Sequence, residues 1–198
     1  MELANTPTLE TNRLILRRFN HNDVEALFAI YGDEEANTFL PWYPLKSLAE
    51  ATVFYEEKYA ETYRRSNGYR YAICLKPDHI PIGYVHVGGG DHYDFGYGLR
   101  KEYWHKGIVS EASKAVVEKL KKSGLPFITA THDVNNPRSG NVMKNIGMTY
   151  RYTYEEQWQP KNLLVTFRMY QLNLDGQHDR VYKKYWDGSN VHFAESGV

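Results

Sequence analysis

Apolar and polar residues alternate from Arg13 to Phe19, with Leu14, Leu16 and Arg18 on one face and Ile15, Arg17 and Phe19 on the other. A period of two over β-favourable side chains predicts a first strand. Asn20-His21-Asn22-Asp23 interrupts it. Asn22 is read as the N-cap of the helix that follows, with Glu25 three residues on completing a capping box, and Leu27, Ile30 and Tyr31 carry its apolar face to Gly32. A second helix is expected from the capping box of Ser47 and Glu50, because Leu48, Ala51, Tyr55 and Tyr59 recur at helical spacing towards Arg65; Ser66-Asn67-Gly68 ends it in a turn. Between the two, Phe39-Leu40-Pro41-Trp42-Tyr43-Pro44 carries two prolines and three aromatics. That excludes regular helix and suits a loop that covers a core or lines a cleft.

The pattern then returns to a period of two. Tyr69 to Lys76, Ile82 to Val87 and Asp94 to Leu99 read as an antiparallel meander, the first pair joined by a turn from Pro77 to Pro81. A third helix follows and closes at Ser123-Gly124-Leu125-Pro126, a glycine stop with a later proline. Phe127 to His132 is a short apolar run that suits a buried strand, and a strand, crossover helix and strand of this length imply a parallel pair. Asn136-Pro137 supplies an N-cap and a proline at the first helical position of a fourth helix, which runs to Asn145 before Gly147. Met148 to Gln157 and Leu163 to Leu174 form a last pair of strands joined by Trp158 to Asn162. The expected fold is α/β (α+β), a mixed and mostly antiparallel twisted sheet of about six to seven strands flanked by about four helices. Residues 175–198 show no clear period, though Tyr182, Tyr185, Trp186 and Phe193 suit either a short helix packed back or an interface.

The segment between the meander and the third helix, Tyr103-Trp104-His105-Lys106-Gly107-Ile108-Val109-Ser110-Glu111-Ala112, carries the candidate chemistry. The first backbone N–H groups of a helix lack intrahelical partners, and the helix dipole adds about half a positive charge there. Gly107 lets an anion approach the backbone, and His105 and Lys106 stand beside it, so the stretch reads as a phosphate cradle. Gly88-Gly89-Gly90 and Gly96-x-Gly98 do not have the register of a P-loop or a dinucleotide fingerprint.

Composition narrows the setting. A chain of 198 residues can form one domain with a sizeable core, and no linker argues for two. Lys plus Arg equals Asp plus Glu at 24 each, so no global field favours nucleic acid or an acidic membrane surface. The single cysteine, Cys74, excludes an internal disulfide and sits in the apolar run Tyr71-Ala72-Ile73-Cys74-Leu75, where core packing is expected. The absence of an apolar leader or membrane-length run points to a cytoplasmic protein.

The ordered set Leu9-Glu10-Thr11-Asn12-Arg13-Leu14, Gly96-Tyr97-Gly98-Leu99, Tyr103 to Gly107, Ser110-Glu111-Ala112, Asn136-Pro137-Arg138-Ser139 and Asn145-Ile146-Gly147-Met148 resembles the GCN5-related N-acetyltransferases (GNAT). Within them it is similar to the branch of the ribosomal-protein alanine acetyltransferases. The resemblance covers residues 9–174 and implies one GNAT-like domain there, with residues 175–198 as an extension. It also implies acetyl-CoA as co-substrate, a sheet splayed at the central parallel pair to admit pantetheine, backbone contacts at Gly98 and Leu99, and a pyrophosphate wrapped by His105, Lys106, Gly107, Ile108 and Val109. Asn136 would contact pantetheine as well as cap its helix. Two positions depart from the family signature [QR]-x-x-G-x-[GA]: Trp104 stands where Gln or Arg is usual, and Val109 where Gly or Ala is.

Amide formation from a thioester needs a neutral amine, a polarised carbonyl and a proton for the departing thiolate. An α-amine has a pKa of about 8 and a lysine amine about 10.4, so an α-amine asks less of a base. A backbone N–H on the thioester oxygen stabilises the developing charge, with removal of such a donor costing about 3 kcal/mol. The resemblance makes Ser139 the proton donor; a first-turn helix serine can also simply bond its own backbone. Asp91, His92, Asp94, His86 and Glu111 are candidate bases with no distinguishing signal among them, and Glu111 suits the positive helix end better. His86, His92 and His132 lack a compact ligand motif, so no metal is expected. Trp42 is the candidate for lining an acceptor cleft, with core packing as the alternative. The expected activity is transfer of acetyl from acetyl-CoA to a primary amine, on a small molecule or a protein N-terminus, by direct attack in a ternary complex. A non-catalytic acyl-CoA-binding module is the alternative. The expected partners include neither nucleic acid nor membrane, and the chain is expected to be a monomer or homodimer.

Overall fold

Leu14 and Leu16 are fully buried while Ile15 and Arg17 are only partly so, and this alternation defines β2 (Leu14–Arg17) in a computed structural model that describes residues 5–65 and 68–198. The turn expected at Ser66-Asn67 lies outside the described residues. β2 is shorter than its sequence pattern because Arg18 turns its guanidinium to Asn5 O, and Phe19 N donates to the Tyr63 hydroxyl rather than to a neighbouring strand.

The chain divides into two compact units, residues 1–38 with 44–118 and residues 39–43 with 119–198. In the first unit, β1 (Leu9–Glu10), β2, β3 (Tyr69–Leu75), β4 (Pro81–Val87) and β5 (Phe95–Leu99) form an antiparallel sheet in sequence order. Tyr71, Ala72, Ile73 and Cys74 of β3 are all fully buried, as expected of a middle strand covered on both faces. Burial pushes the Cys74 thiol up to about 11, which leaves it an inert core group.

The stop before α1 (Val24–Tyr31) differs from the sequence reading. Asn22 does not cap this helix; Asn20 instead caps a 3-10 turn (His21–Asp23) that leads into α1, its side chain accepting from Asn22 N at 2.9 Å and the Asp23 carboxylate accepting from Asn20 N at 2.8 Å. Arg17 selects this arrangement by holding both Asp23 oxygens, at 2.7 and 2.9 Å, in a bidentate fork. Ser47 caps α2 (Leu48–Phe54) as expected, accepting from Glu50 N at 3.2 Å. That rod continues through a π-helical stretch (Tyr55–Ala60) into α3 (Glu61–Tyr63), rather than as uniform α-helix. Ala51 and Tyr59 face the core, whereas Leu48 is half exposed.

α4 (Ile108–Leu120) follows β5. The second unit then holds β6 (Phe127–Asp133), α5 (Pro137–Asn145), β7 (Thr149–Trp158), β8 (Leu163–Asn173), α6 (Lys184–Gly188) and β9 (His192–Phe193). Its sheet has the order β6-β8-β7-β9 and is antiparallel throughout. The α/β fold is as expected, but its sheet is not one mixed sheet. β5 and β6, expected as a parallel pair, belong to different sheets. A crossover is necessary for parallel pairing without being sufficient for it, and one carbonyl at the end of β5, Leu99 O, accepts from the Trp104 indole at 2.8 Å. Residues 175–198 pack back: β9 pairs with β7, and Tyr182, Tyr185 and Trp186 cover the buried cluster of Tyr152, Tyr154, Val165, Phe167 and Met169.

Candidate functional site

β5 brings two glycines under the aromatic side chains of β4. A Cβ on Gly98 would lie 2.5 Å from the Tyr84 ring, and one on Gly96 would run into the His86 ring. Tyr84 cannot retreat, because it stacks on Tyr31 at 4.9 Å and on His86 at 5.7 Å and is almost wholly buried. The glycines are thus dictated by packing, and they leave the Gly98 backbone without a side chain of its own. Leu99 is buried at the end of the strand.

From there the chain makes a 3-10 turn (Lys101–Tyr103) and reaches two residues of positive φ, His105 at 61° and Gly107 at 70°, before α4 begins. The first ladder bond of α4 is Glu111 N to Gly107 O at 3.0 Å, so the amides of Ile108, Val109 and Ser110 precede the ladder. His105, Lys106 and Gly107 are exposed, Ile108 is buried and Val109 half-buried. A Cβ at Gly107 would meet only the Arg13 guanidinium, at 3.8 Å, so the approach there is open. The Lys106 ammonium donates to Glu102 O at 2.8 Å and lies 5.5 Å over the Tyr103 ring, which keeps a positive charge at the turn.

A second residue set holds this turn: Glu111, expected at the positive helix end, with Thr11 and Arg13, to which the sequence reading gave no role of their own. Glu111 in the first turn of α4 accepts from the Thr11 hydroxyl at 2.5 Å, from Arg13 N at 3.2 Å and from Arg13 Nε at 2.7 Å. Arg13 also donates through Nη1 to Lys106 O at 3.0 Å. Burial acts to raise the Glu111 pKa, but the bonds from Thr11 and Arg13 outweigh it and hold the carboxyl below its ordinary value. Glu111 is therefore an ion-paired anchor rather than a base. Its partners stand 98 and 100 residues away, so no local pattern could have revealed them; the available signal was a Thr-x-Arg set at a strand start and a lone acid in a helix's first turn.

In the second unit, Asn136 caps α5 as expected, its side chain accepting from Ser139 N at 3.4 Å, with Pro137 at the first helical position. Ser139 lies half-buried in that first turn, and its amide also bonds Asn136 O at 3.1 Å. Beside it, His132 is 4% exposed, donates through Nδ1 to Asp133 O at 2.8 Å and sets its Nε2 2.5 Å from where a Gly140 Cβ would stand. Burial, aided by the charge of Arg168, lowers the His132 pKa, so the ring is neutral. Trp42 is half-buried in the 39–43 segment, which groups with this unit. His86 and Asp94 approach to 3.6 Å and His92 and Asp91 to 3.4 Å, in the first unit. Among the described residues, no group of three or more His, Cys, Asp or Glu side chains is gathered for a metal ion, and no helix is long and apolar enough to cross a membrane.

Two solved structures share this fold. One is a ribosomal L7/L12 alpha-N-protein acetyltransferase in complex with coenzyme A, at a TM-score of 0.76 and 18% identity, covering 85% of this chain and 99% of that one. The other is the microcin C7 self-immunity acetyltransferase in complex with acetyl-CoA and AMP, at 0.73 and 17%, covering 86% and 99%. The fold is that of an acetyltransferase. The sequence profile of the acetyltransferase (GNAT) domain matches residues 13–149, and an uncharacterized N-acetyltransferase of Bacillus subtilis (strain 168), YoaA, is 30% identical over 71% of this chain and 82% of its own length. The chain belongs to the GNAT acetyltransferase family.

Proposed function

We propose that this enzyme transfers the acetyl group of acetyl-CoA to a primary amine by direct attack in a ternary complex, with residues 9–174 as the transferase domain. The observation that carries the reading is the turn at His105 to Gly107, which is open, cationic and followed by the first amides of α4. Such a helix start receives phosphate oxygens through backbone N–H groups and the helix dipole. His105, Lys106, Gly107, Ile108 and Val109 take the coenzyme pyrophosphate. The signature departure at Trp104 costs little where the donors are backbone amides, and its indole is engaged with Leu99 O; Val109 puts a β-branched side chain near the helix start, which makes its contact the weakest of the set.

Backbone at Gly98 and Leu99 takes the pantetheine amide and supplies the N–H that polarises the thioester carbonyl. Asn136 contributes a further contact. As the amine nitrogen bonds to the carbonyl carbon, the carbon–sulfur bond breaks, the thiolate takes a proton from the Ser139 hydroxyl, and the proton lost by the nitrogen returns to Ser139 through solvent; the role of Ser139 rests on the family resemblance. Trp42 lines the acceptor side. An α-amine or small-molecule amine with a pKa of about 8 or below reacts with little help from a base.

Thiol release from acetyl-CoA against a panel of amines and N-terminal peptides tests the reading. Release with at least one acceptor, reduced by about a hundredfold in Ser139→Ala with coenzyme binding unchanged, is expected. Coenzyme binding without release from any acceptor would favour the non-catalytic module instead.

A further inference from the structure

The Arg13 side chain touches both the turn before α4 and the acid inside its first turn. Its Nε and Nη2 each reach Glu111 Oε2 at 2.7 Å, its Nη1 reaches Lys106 O at 3.0 Å, and its backbone N reaches Glu111 Oε1 at 3.2 Å. The Arg13 carbonyl accepts from Lys76 N at 3.0 Å, which fixes the residue against the start of the β2 and β3 pair. Half of the Arg13 side-chain surface is open to water, and an exposed ion pair contributes little to stability. The expense of three directed donations at one exposed arginine calls for another explanation.

The turn it holds supplies one. His105 and Gly107 both have positive φ, the region least natural for a side-chain-bearing residue, and Lys106 between them has its carbonyl tied down by Arg13. Left unanchored, a three-residue turn of this kind has several conformations open to it. Only some of these leave the amides ahead of the α4 ladder clear for an anion.

We propose that Arg13 is the positioning residue of the phosphate cradle. It locks the His105 to Gly107 turn to the first helical turn through Glu111 and adds a fixed cation beside Gly107, so that the coenzyme phosphate meets a preorganised site. The inference rests on the functional reading above and adds a residue on β1–β2, far from the signature, to it. Lysine cannot replace it, since an ammonium is a point charge without the planar fork that spans carboxylate and carbonyl together.

The test is calorimetric titration with free coenzyme A and with acetyl-CoA, beside thermal unfolding, for wild type, Arg13→Lys, Glu111→Gln and a control, Arg17→Lys. Arg17, at the far end of β2, makes a comparable fork to Asp23 near α1. Arg13→Lys is expected to raise the Kd for coenzyme about tenfold or more, and KM for acetyl-CoA in parallel, with kcat at saturation within about twofold. Arg17→Lys is expected to lower the Tm and leave the Kd unchanged. Glu111→Gln, which keeps shape but loses the ion pair, is expected to follow Arg13→Lys and stands in for it if that variant does not fold. A Kd within about twofold of wild type in both cradle variants overturns the positioning role while leaving the transferase reading intact. Failure of wild type itself to bind coenzyme overturns both.

Discussion

Gly98 has no room for a methyl group, and Gly107 has ample room but a backbone that a methyl group disfavours. The first constraint is steric: alanine at 98 would press on a Tyr84 ring wedged between Tyr31 and His86. Gly98→Ala should cost about 1–3 kcal/mol, read from chemical denaturation, because overpacking forces neighbours off their rotamers. The second is conformational: Gly107→Ala at a φ of 70° should cost about 1 kcal/mol with no clash. Only the second was legible in the sequence as a glycine needed near a helix start. The first depends on which β4 residue faces Gly98, and that register, Tyr84 opposite Gly98, is a tertiary fact.

His132 gives the residue scale a pH dependence. Its folded-state pKa lies below 6.5 because burial disfavours the imidazolium and Arg168 opposes it. The unfolded chain therefore binds the extra proton first, so this group's stabilisation is fully present above 6.5 and is lost as pH falls through the folded-state value. The slope of unfolding free energy against pH just below 6.5 should be shallower in His132→Gln than in wild type. An unchanged slope would mean that the histidine titrates alike in both states.

The start of α5 was legible in the sequence. Asn136-Pro137 capped and opened α5 because the cap, the proline and the first turn are neighbours in sequence. Asn20 was passed over for Asn22 because the choice belongs to Arg17, which draws Asp23 into the box. β1 and β9 have two residues each, too few for a period to register, and both exist only through pairing with β2 and β7.

The chain after β8 matters most at this scale. Glu195 bonds Arg168 at 2.6 and 3.0 Å and accepts from the Thr153 hydroxyl, while its amide donates to the Tyr150 hydroxyl at 2.9 Å. Arg168 holds the Glu195 carboxyl below its ordinary value, against burial. Glu195→Ala should cost about 2 kcal/mol, since it strands a partly buried arginine. Removal of residues 175–198 should cost far more. It strips Tyr182, Tyr185 and Trp186 from the Tyr152, Tyr154 and Phe167 cluster, and increased binding of a hydrophobic dye is the measurement that would show it.

Over the whole molecule the charges cancel, 24 against 24, so attraction of an anionic co-substrate falls to local groups. Arg13, Lys106 and the α4 start are gathered by contacts that cross about half the chain, Arg13 to Lys106 across 93 residues. The turn proposed as a cradle was legible in the sequence because its backbone amides are contiguous. The Arg13 to Glu111 contacts were not, because their residues lie far apart in the chain. The separation into two antiparallel sheets was equally hidden, since strand partners are chosen over long separations and a crossover helix does not name its pair.

The central claim is that the turn at Gly107 binds acetyl-CoA, and calorimetric titration of the intact protein with acetyl-CoA tests it most directly. The expected result is saturable one-to-one binding in the roughly micromolar to millimolar range usual for co-substrates, weakened by salt and abolished in a folded Gly107→Glu variant, where bulk and negative charge fill the approach. No heat of binding in wild type, or equal affinity in Gly107→Glu, would contradict it.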